Sequence, residues 1–171
     1  MKYYFIGIAG FGMSALAQIS RMEGNEVSGS DRAFDSGQGK NLKDKFEKMG
    51  IKIYPQNGNA LDKTFDLVII STAIEDNNPE INKAKELGLK IVHRSDFLLS
   101  YINSHKTIAI GGTSGKSTIT AMIYHILEQN NFSPSIITGG ALNSLIEKGM
   151  IGNSFKGRSE WLVAETDESD G

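Results

Sequence analysis

The chain has 171 residues, of which 39% are hydrophobic and 22% charged, with a formal net charge of −2 and no cysteine. That balance describes a globular protein with room for one large domain or two small ones, and it offers no general attraction to nucleic acid or to an anionic membrane. Disulfides and thiolate metal sites are excluded, no apolar run approaches the roughly 18 residues of a membrane span, and the N-terminus lacks the form of a signal peptide, so a cytoplasmic location is expected.

Tyr3–Ile8 reads as a strand. Gly7-Ile-Ala-Gly-Phe-Gly12 then opens an apolar-patterned helix over Met13–Met22, which Gly24 ends. This follows the dinucleotide fingerprint, with Ala9 in the place of the second glycine. Asp31 follows the strand Glu26–Ser30, about 20 residues past the glycines, where such a fold sets an acid against a ribose hydroxyl. The glycines by themselves would equally serve a tight strand–helix packing turn.

A polar loop over Arg32–Gly39 leads to a lysine-rich helix, Asn41–Met49, stopped at Gly50, and to the strand Ile51–Tyr54. Lys43, Lys45 and Lys48 form a solvated face of that helix. Asp66–Ser71 is a buried-type strand, Pro79 starts a helix through Leu87 that Gly88 caps, and Leu89–Val92 is the next strand. After His93-Arg94 a helix is expected over Asp96–Tyr101 with Ser95 as its N-cap. Strands alternating with helices make an α/β domain on a parallel sheet, whose ligands sit outside the carboxyl ends of the strands. The loops Ala9–Gly12, Ser30-Asp31, Ser71–Ala73 and His93-Arg94 all fall at that edge. The polar stretch Asn103–His105 divides the chain into residues 1–104 and 105–171.

Lys106–Ile110 is again a buried-type strand, and Ser117–Gln129 carries Ile119, Met122, Ile123, Ile126 and Leu127 at helical spacing. Between them, Gly112-Thr-Ser-Gly-Lys-Ser-Thr118 reads as a phosphate loop. Its backbone N–H groups from Gly112 to Lys116 can converge on an anion at the positive end of the following helix. Lys116 would meet the outer phosphates of a nucleotide, and the Ser117 hydroxyl would ligate Mg²⁺. Ile110 stands where the general motif has its first glycine, and a glycine turn with an incidental lysine is the plainer alternative. Pro134–Thr138 is a strand, Gly139-Gly140 a turn, and residues 143–159 are poorly patterned. The strand Glu160–Glu165 delivers Glu165, with Asp167 and Glu168 behind it, to the edge that carries the phosphate loop. A carboxylate opposite Ser117 is the arrangement a hard cation needs. Of the three histidines only His93 is placed for ligand contact.

Phe5-Ile-Gly-Ile-Ala-Gly-Phe-Gly-Met-Ser14, Val27-Ser-Gly-Ser-Asp31, Ser71-Thr-Ala-Ile74 with Asn78-Pro-Glu80, Gly112-Thr-Ser-Gly-Lys-Ser-Thr118 and Ala164-Glu-Thr-Asp-Glu-Ser-Asp170 occur in the order found in Mur ligases, which the whole chain resembles. The resemblance implies a Rossmann-like parallel-sheet domain that binds a UDP-sugar over residues 1–104, followed by the start of a P-loop ATP-binding α/β domain over 105–171. By position, Gly7, Ala9, Gly10, Gly12, Met13, Ser14, Ser30, Asp31, Ser71, Thr72, Ala73 and Arg94 would line the UDP-sugar site. Gly112, Thr113, Ser114, Gly115, Lys116, Ser117 and Thr118 would hold ATP, Lys116 would be catalytic, and Ser117 and Glu165 would ligate Mg²⁺. In the family, ATP phosphorylates the carboxylate of UDP-N-acetylmuramate and the amine of L-alanine attacks the acyl phosphate. A ligase that recycles murein peptide onto the same sugar, or a non-catalytic nucleotide-binding paralogue, would share these motifs. Departures from the family pattern are Ala9 for glycine, Ser114 for histidine or another larger polar residue, and Ser117 for threonine. Three strands and one long helix in residues 105–171 leave a parallel sheet partly uncovered. The expectation is therefore a piece of a larger ligase that binds without ligating, and whose second lobe is either partly disordered or associates with another copy through its exposed strands.

Overall fold

A computed structural model describes residues 1–166. The first sheet is built from β1 (Lys2–Ile6), β2 (Glu26–Ser30), β3 (Lys52–Tyr54), β4 (Leu67–Ile70) and β5 (Ile91–His93), all parallel, in the order β3-β2-β1-β4-β5. β1 lies at the centre, and its Tyr4, Phe5 and Ile6 are fully buried, as expected for a strand covered on both faces. From β1 the chain winds outward to β3, then returns to β4 on the other side. The direction of winding thus reverses between β1 and β4, and an open parallel sheet leaves its ligand crevice at the carboxyl ends of such a pair.

The second sheet takes β6 (Lys106–Ile110), β7 (Ser135–Ile137), β8 (Ser154–Phe155) and β9 (Trp161–Glu165) in the order β6-β9-β7-β8. β6, β9 and β7 are parallel, and β8 runs antiparallel to β7. Alternation along its strands sorts two cores. Ile136 and Val163 face helix α6 (Lys116–Gln129) together with Tyr124, whereas Ile137, Leu162 and Ala164 face the first sheet's helices and join Phe5, Leu16, Ile19 and Phe97 in one cluster. The two sheets therefore share a core.

Helix α1 (Phe11–Met22) is the element they share, with every residue from Met13 to Ser20 buried. One side, with Met13, Leu16, Ala17 and Ile19, packs into the shared apolar cluster. The other meets the β7–β8 region through polar groups. Gln18 Nε2 donates to the carbonyl and hydroxyl of Ser154, and Gln18 Oε1 accepts Ile151 N at 2.9 Å. Ser154 Oγ donates to Ala15 O at 2.8 Å. Helix α5 (Arg94–Ser104) covers the same face, its Phe97 ring set edge-on to Tyr3 and Phe5, and it runs through the proposed boundary at Asn103–His105 almost directly into β6.

Helix α5 begins at Arg94 with His93 in the N-cap position and no side-chain cap, rather than at Asp96 with Ser95 as cap. Phe97 and Tyr101 bury on the sheet, and that packing extends the helix past the weak local signals. A short helix α2 (Arg32–Asp35), capped by Asp31, and helix α3 (Lys40–Lys48) replace the expected loop and the slightly later helix. The poorly patterned stretch holds α7 (Asn143–Ile146) and β8. On α6, Thr120 and Tyr124 are buried, while Ile119, Met122 and Ile126 of the apolar stripe are exposed. No helix among the described residues is long and apolar enough to cross a membrane.

Behind the crevice, α4 (Pro79–Leu87), with Asn78 as cap, buries Glu80 completely. Tyr4 Oη donates to its carboxylate at 2.6 Å, and the Ser30 hydroxyl and Gly58 N–H donate as well. Burial outweighs these donors and holds the Glu80 carboxyl above its ordinary range. An acid whose folded-state pKa is raised contributes stability at low pH that is lost as pH rises through that pKa. Tyr4→Phe removes a donor to the charged form. We expect it to destabilise the chain by about 1–3 kcal/mol near neutral pH and by less at about pH 5. Urea unfolding at both pH values checks this, and a cost independent of pH would contradict it.

Candidate functional site

The turn after β1 places the start of α1 at the crevice. Gly7 N and Ile8 N bond Ser30 O, Gly10 N bonds Gly7 O at 3.2 Å, and Ala9 N donates to Asp31 Oδ2 at 2.9 Å. Asp31 Oδ1 accepts Ala33 N at 2.9 Å, so this carboxylate both pins the glycine turn and caps α2. Gly10 stands at the N-cap of α1 without a side-chain acceptor, and the first turn has no acidic residue. The leading amides and the positive end of the helix dipole thus open onto the crevice, an arrangement that favours an anion. Gly12 leaves room for a neighbouring side chain. A Cβ there would lie 1.9 Å from Arg94 Nη1, so the guanidinium lies directly against the first turn.

The remaining candidates of this edge divide. Thr72 and Ala73 are exposed at the crevice and Ser71 is half-buried beside them. Ser30 and Ser14 are buried with their hydroxyls turned into the protein, Ser30 to Glu80 and Ser14 to Phe11 O at 2.9 Å, and Met13 lies in the core. His93 is exposed.

At the second edge, β6 ends in the glycine loop and α6 starts at Lys116, with Gly115 at its N-cap in the left-handed region at φ +76, where a side chain would be strained. Thr113, Ser114 and Gly115 are exposed, and Lys116 Nζ donates to Gly112 O at 2.8 Å, laying the lysine across the loop. Pairing of β6 with β9 sets Glu165 beside Ile110. Its carboxylate accepts Ser117 Oγ at 2.9 Å, Thr138 Oγ1 at 3.0 Å and Gly139 N at 2.7 Å. One carboxylate and two hydroxyls, all oxygen donors on the ends of different elements, suit a hard cation that completes its shell with phosphate oxygens and water. Among the described residues no cluster of three acids or histidines exists, so such a cation would need its nucleotide to bind well. Asp167 and Glu168 lie outside the described residues.

The two edges face each other. A cavity of about 290 Å³ is walled on one side by Phe11, Gly12 and Arg94 and on the other by Thr138, Gly139 and Glu165. A larger apolar cavity, about 570 Å³, borders Ser117 and Thr118 and is lined by Met122, Ile126 and Leu142. Thr138 and Gly139 were read from the sequence only as a strand end and a turn. Their position at the carboxyl end of a strand beside Glu165 was the available signal.

The family model described as "Mur ligase family, catalytic domain" matches residues 2–106. The chain is 42% identical over 170 residues to a UDP-N-acetylmuramate–L-alanine ligase of Agrobacterium fabrum, an alignment that covers 98% of this chain and 34% of that protein. The chain thus spans about a third of the length of the curated relatives it matches. Among solved structures, the UDP-N-acetylmuramate–alanine ligase of Thermotoga maritima superimposes with a TM-score of 0.82 at 36% identity, over 99% of this chain and 37% of that one. A UDP-N-acetylmuramate:L-alanyl-gamma-D-glutamyl-meso-diaminopimelate ligase of Neisseria meningitides shares the fold, with a TM-score of 0.80 at 24% identity over 99% of this chain and 55% of that one.

Because Arg94 occupies the space beside Gly12, Gly12→Ala is expected to swing the guanidinium off α1 while changing the unfolding free energy by no more than about 1 kcal/mol. The Arg94 Nε–H resonance and a urea midpoint report the two effects, and an unmoved resonance would contradict the placement.

Proposed function

Since the chain belongs to the Mur ligase family, we propose that it is the nucleotide-binding part of an ATP-dependent ligase that joins L-alanine to the carboxylate of UDP-N-acetylmuramate. The observation that carries this reading is the cavity with the uncapped start of α1 and Arg94 on one wall and Glu165 on the other, the carboxylate that accepts Ser117 Oγ at the uncapped start of α6. One substrate held by each helix start would bring its reacting end to the same space, which is the positioning that phosphoryl transfer requires.

In this reading residues 1–104 bind the UDP-sugar, with the diphosphate on the first turn of α1 and the sugar reaching past Arg94. Residues 105–171 bind ATP, with Lys116 on its outer phosphates and the apolar cavity beside Ser117 and Thr118 suited to an aromatic base. Ser117, Thr138 and Glu165 would hold Mg²⁺, which when bound supplies positive charge to the transferring phosphoryl. A carboxylate oxygen of the sugar's lactyl group attacks the γ-phosphorus as the bond to ADP breaks. The amine of L-alanine then displaces phosphate from the acyl carbon and loses a proton, leaving the amide. Lys116 serves by neutralising charge on the phosphates as it moves from its resting bond with Gly112.

Calorimetric titration of the chain with UDP-N-acetylmuramate, with ATP and Mg²⁺, and with NAD as a control tests the assignment. Binding of NAD but not of the UDP-sugar would reject it for residues 1–104. Lys116→Ala is expected to abolish measurable ATP binding and to leave the UDP-sugar affinity within about 2-fold, because the lysine lies across the phosphate loop and does not line the cavity at α1. Loss of both affinities would refute the separation of the two sites.

A further inference from the structure

Asn153 touches the supports of both loops, although nothing in its sequence surroundings marks it. It is buried in the turn before β8, 1% exposed, and its Nδ2 donates to Phe11 O at 2.9 Å and to Ser14 Oγ at 2.8 Å. Phe11 O and Gly12 N–H belong to one rigid peptide plane. Holding the carbonyl therefore orients the amide on the opposite side, one of the first-turn donors that face the crevice. A donor on the carbonyl also polarises that amide, which strengthens its N–H toward an anion. From the same residue, Asn153 O accepts Thr138 N at 2.9 Å, and Thr138 Oγ1 donates to Glu165. Ser117 Oγ completes the chain on the same carboxylate. The anion-binding turn of α1 and the Ser117–Glu165 pair are thus linked through one side chain and its own backbone.

Two further observations separate this link from simple packing. The docking of α1 against the second sheet is already secured by Gln18, whose amide is bonded at both ends, to Ser154 and to Ile151 N. Asn153 Oδ1, by contrast, is buried without a hydrogen-bond partner. A residue kept only for packing has no reason to carry an unpaired buried carbonyl, whereas one needed for its Nδ2 donor carries that oxygen as a consequence.

We propose that Asn153 is a positioning residue that couples the two nucleotide sites, so that an anion on the first turn of α1 alters the affinity at the Ser117–Glu165 edge and the reverse. The inference rests on the two-site reading above. Such coupling is reciprocal by linkage and is ordinarily 5-fold or more.

The test is the affinity of the chain for UDP-N-acetylmuramate by calorimetry, with and without a saturating non-hydrolysable ATP analogue and Mg²⁺. The same titrations follow for N153A, N153D and Q18M. In the parent the two affinities should differ by about 5-fold or more. In N153A and N153D the ratio should fall to about one while each ligand still binds alone, and in Q18M it should persist. Because the ratio compares a variant with itself, a general loss of stability does not move it. A ratio retained in the Asn153 variants, a ratio of one in the parent, or equal loss in Q18M overturns the role of Asn153 and leaves the two sites standing. Failure of either ligand to bind the parent overturns both readings.

Discussion

A helix that is buried all round cannot be placed by hydrophobic burial alone, and α1 is such a helix. Burial of Met13, Leu16 and Ile19 favours packing by roughly 1.5–3 kcal/mol each, but it is nearly indifferent to a slide along the helix axis. The side-chain amide of Gln18 is not indifferent. Its two polar ends are met by Ser154 and by Ile151 N, and a shift of the β8 turn by one residue would leave those groups buried and unpaired. Apolar contact supplies the drive that joins the two sheets, and the amide fixes where they stop. Every distance across the cavity depends on that stop.

Once the sheets are in register, the chemistry at the cavity follows from strand direction. β1, β7 and β9 end at one cavity, through the first turn of α1, the Thr138–Gly139 turn and Glu165, and the phosphate loop after β6 is joined to it where Ser117 bonds Glu165. Parallel strands send their carboxyl ends the same way, and the helices that return the chain present their N-termini there. Two positive helix ends and a guanidinium then confront one carboxylate. That imbalance suits a pair of polyanions bridged by a cation better than it suits any neutral ligand.

Much of this was legible in the residues. Glycines at strand ends, the acid on β9 and the hydroxyl after Lys116 each carry a local conformational or chemical demand, and the structure joins Ser117 to Glu165 as the pattern suggested. What could not be read depended on contacts distant in the chain. Ser14, expected at the UDP-sugar site, and Gln18, one helical turn on, are buried because a hairpin more than a hundred residues later covers them. Thr138 and Asn153 acquire roles only from the order β6-β9-β7-β8, which no local periodicity encodes. The start of α5 was misplaced because Ser95 is a good cap by type, while the burial of Phe97 and Tyr101 decided the matter.

Asp31 shows how a well-placed acid can serve an anion site without meeting the ligand's phosphates. Both of its oxygens accept backbone amides, from Ala9 and Ala33, which removes the Ala9 N–H from any phosphate. Gly10 N is likewise bonded to Gly7 O. The amides left to face the crevice are therefore those of the first turn of α1, beginning at Phe11. The residue whose side chain would intrude is Gly12, against which Arg94 lies. The carboxylate also carries a negative charge close to that turn, a cost that the Arg94 guanidinium against the first turn of α1 and the helix dipole offset. The fold thus uses Asp31 to hold the turn in shape.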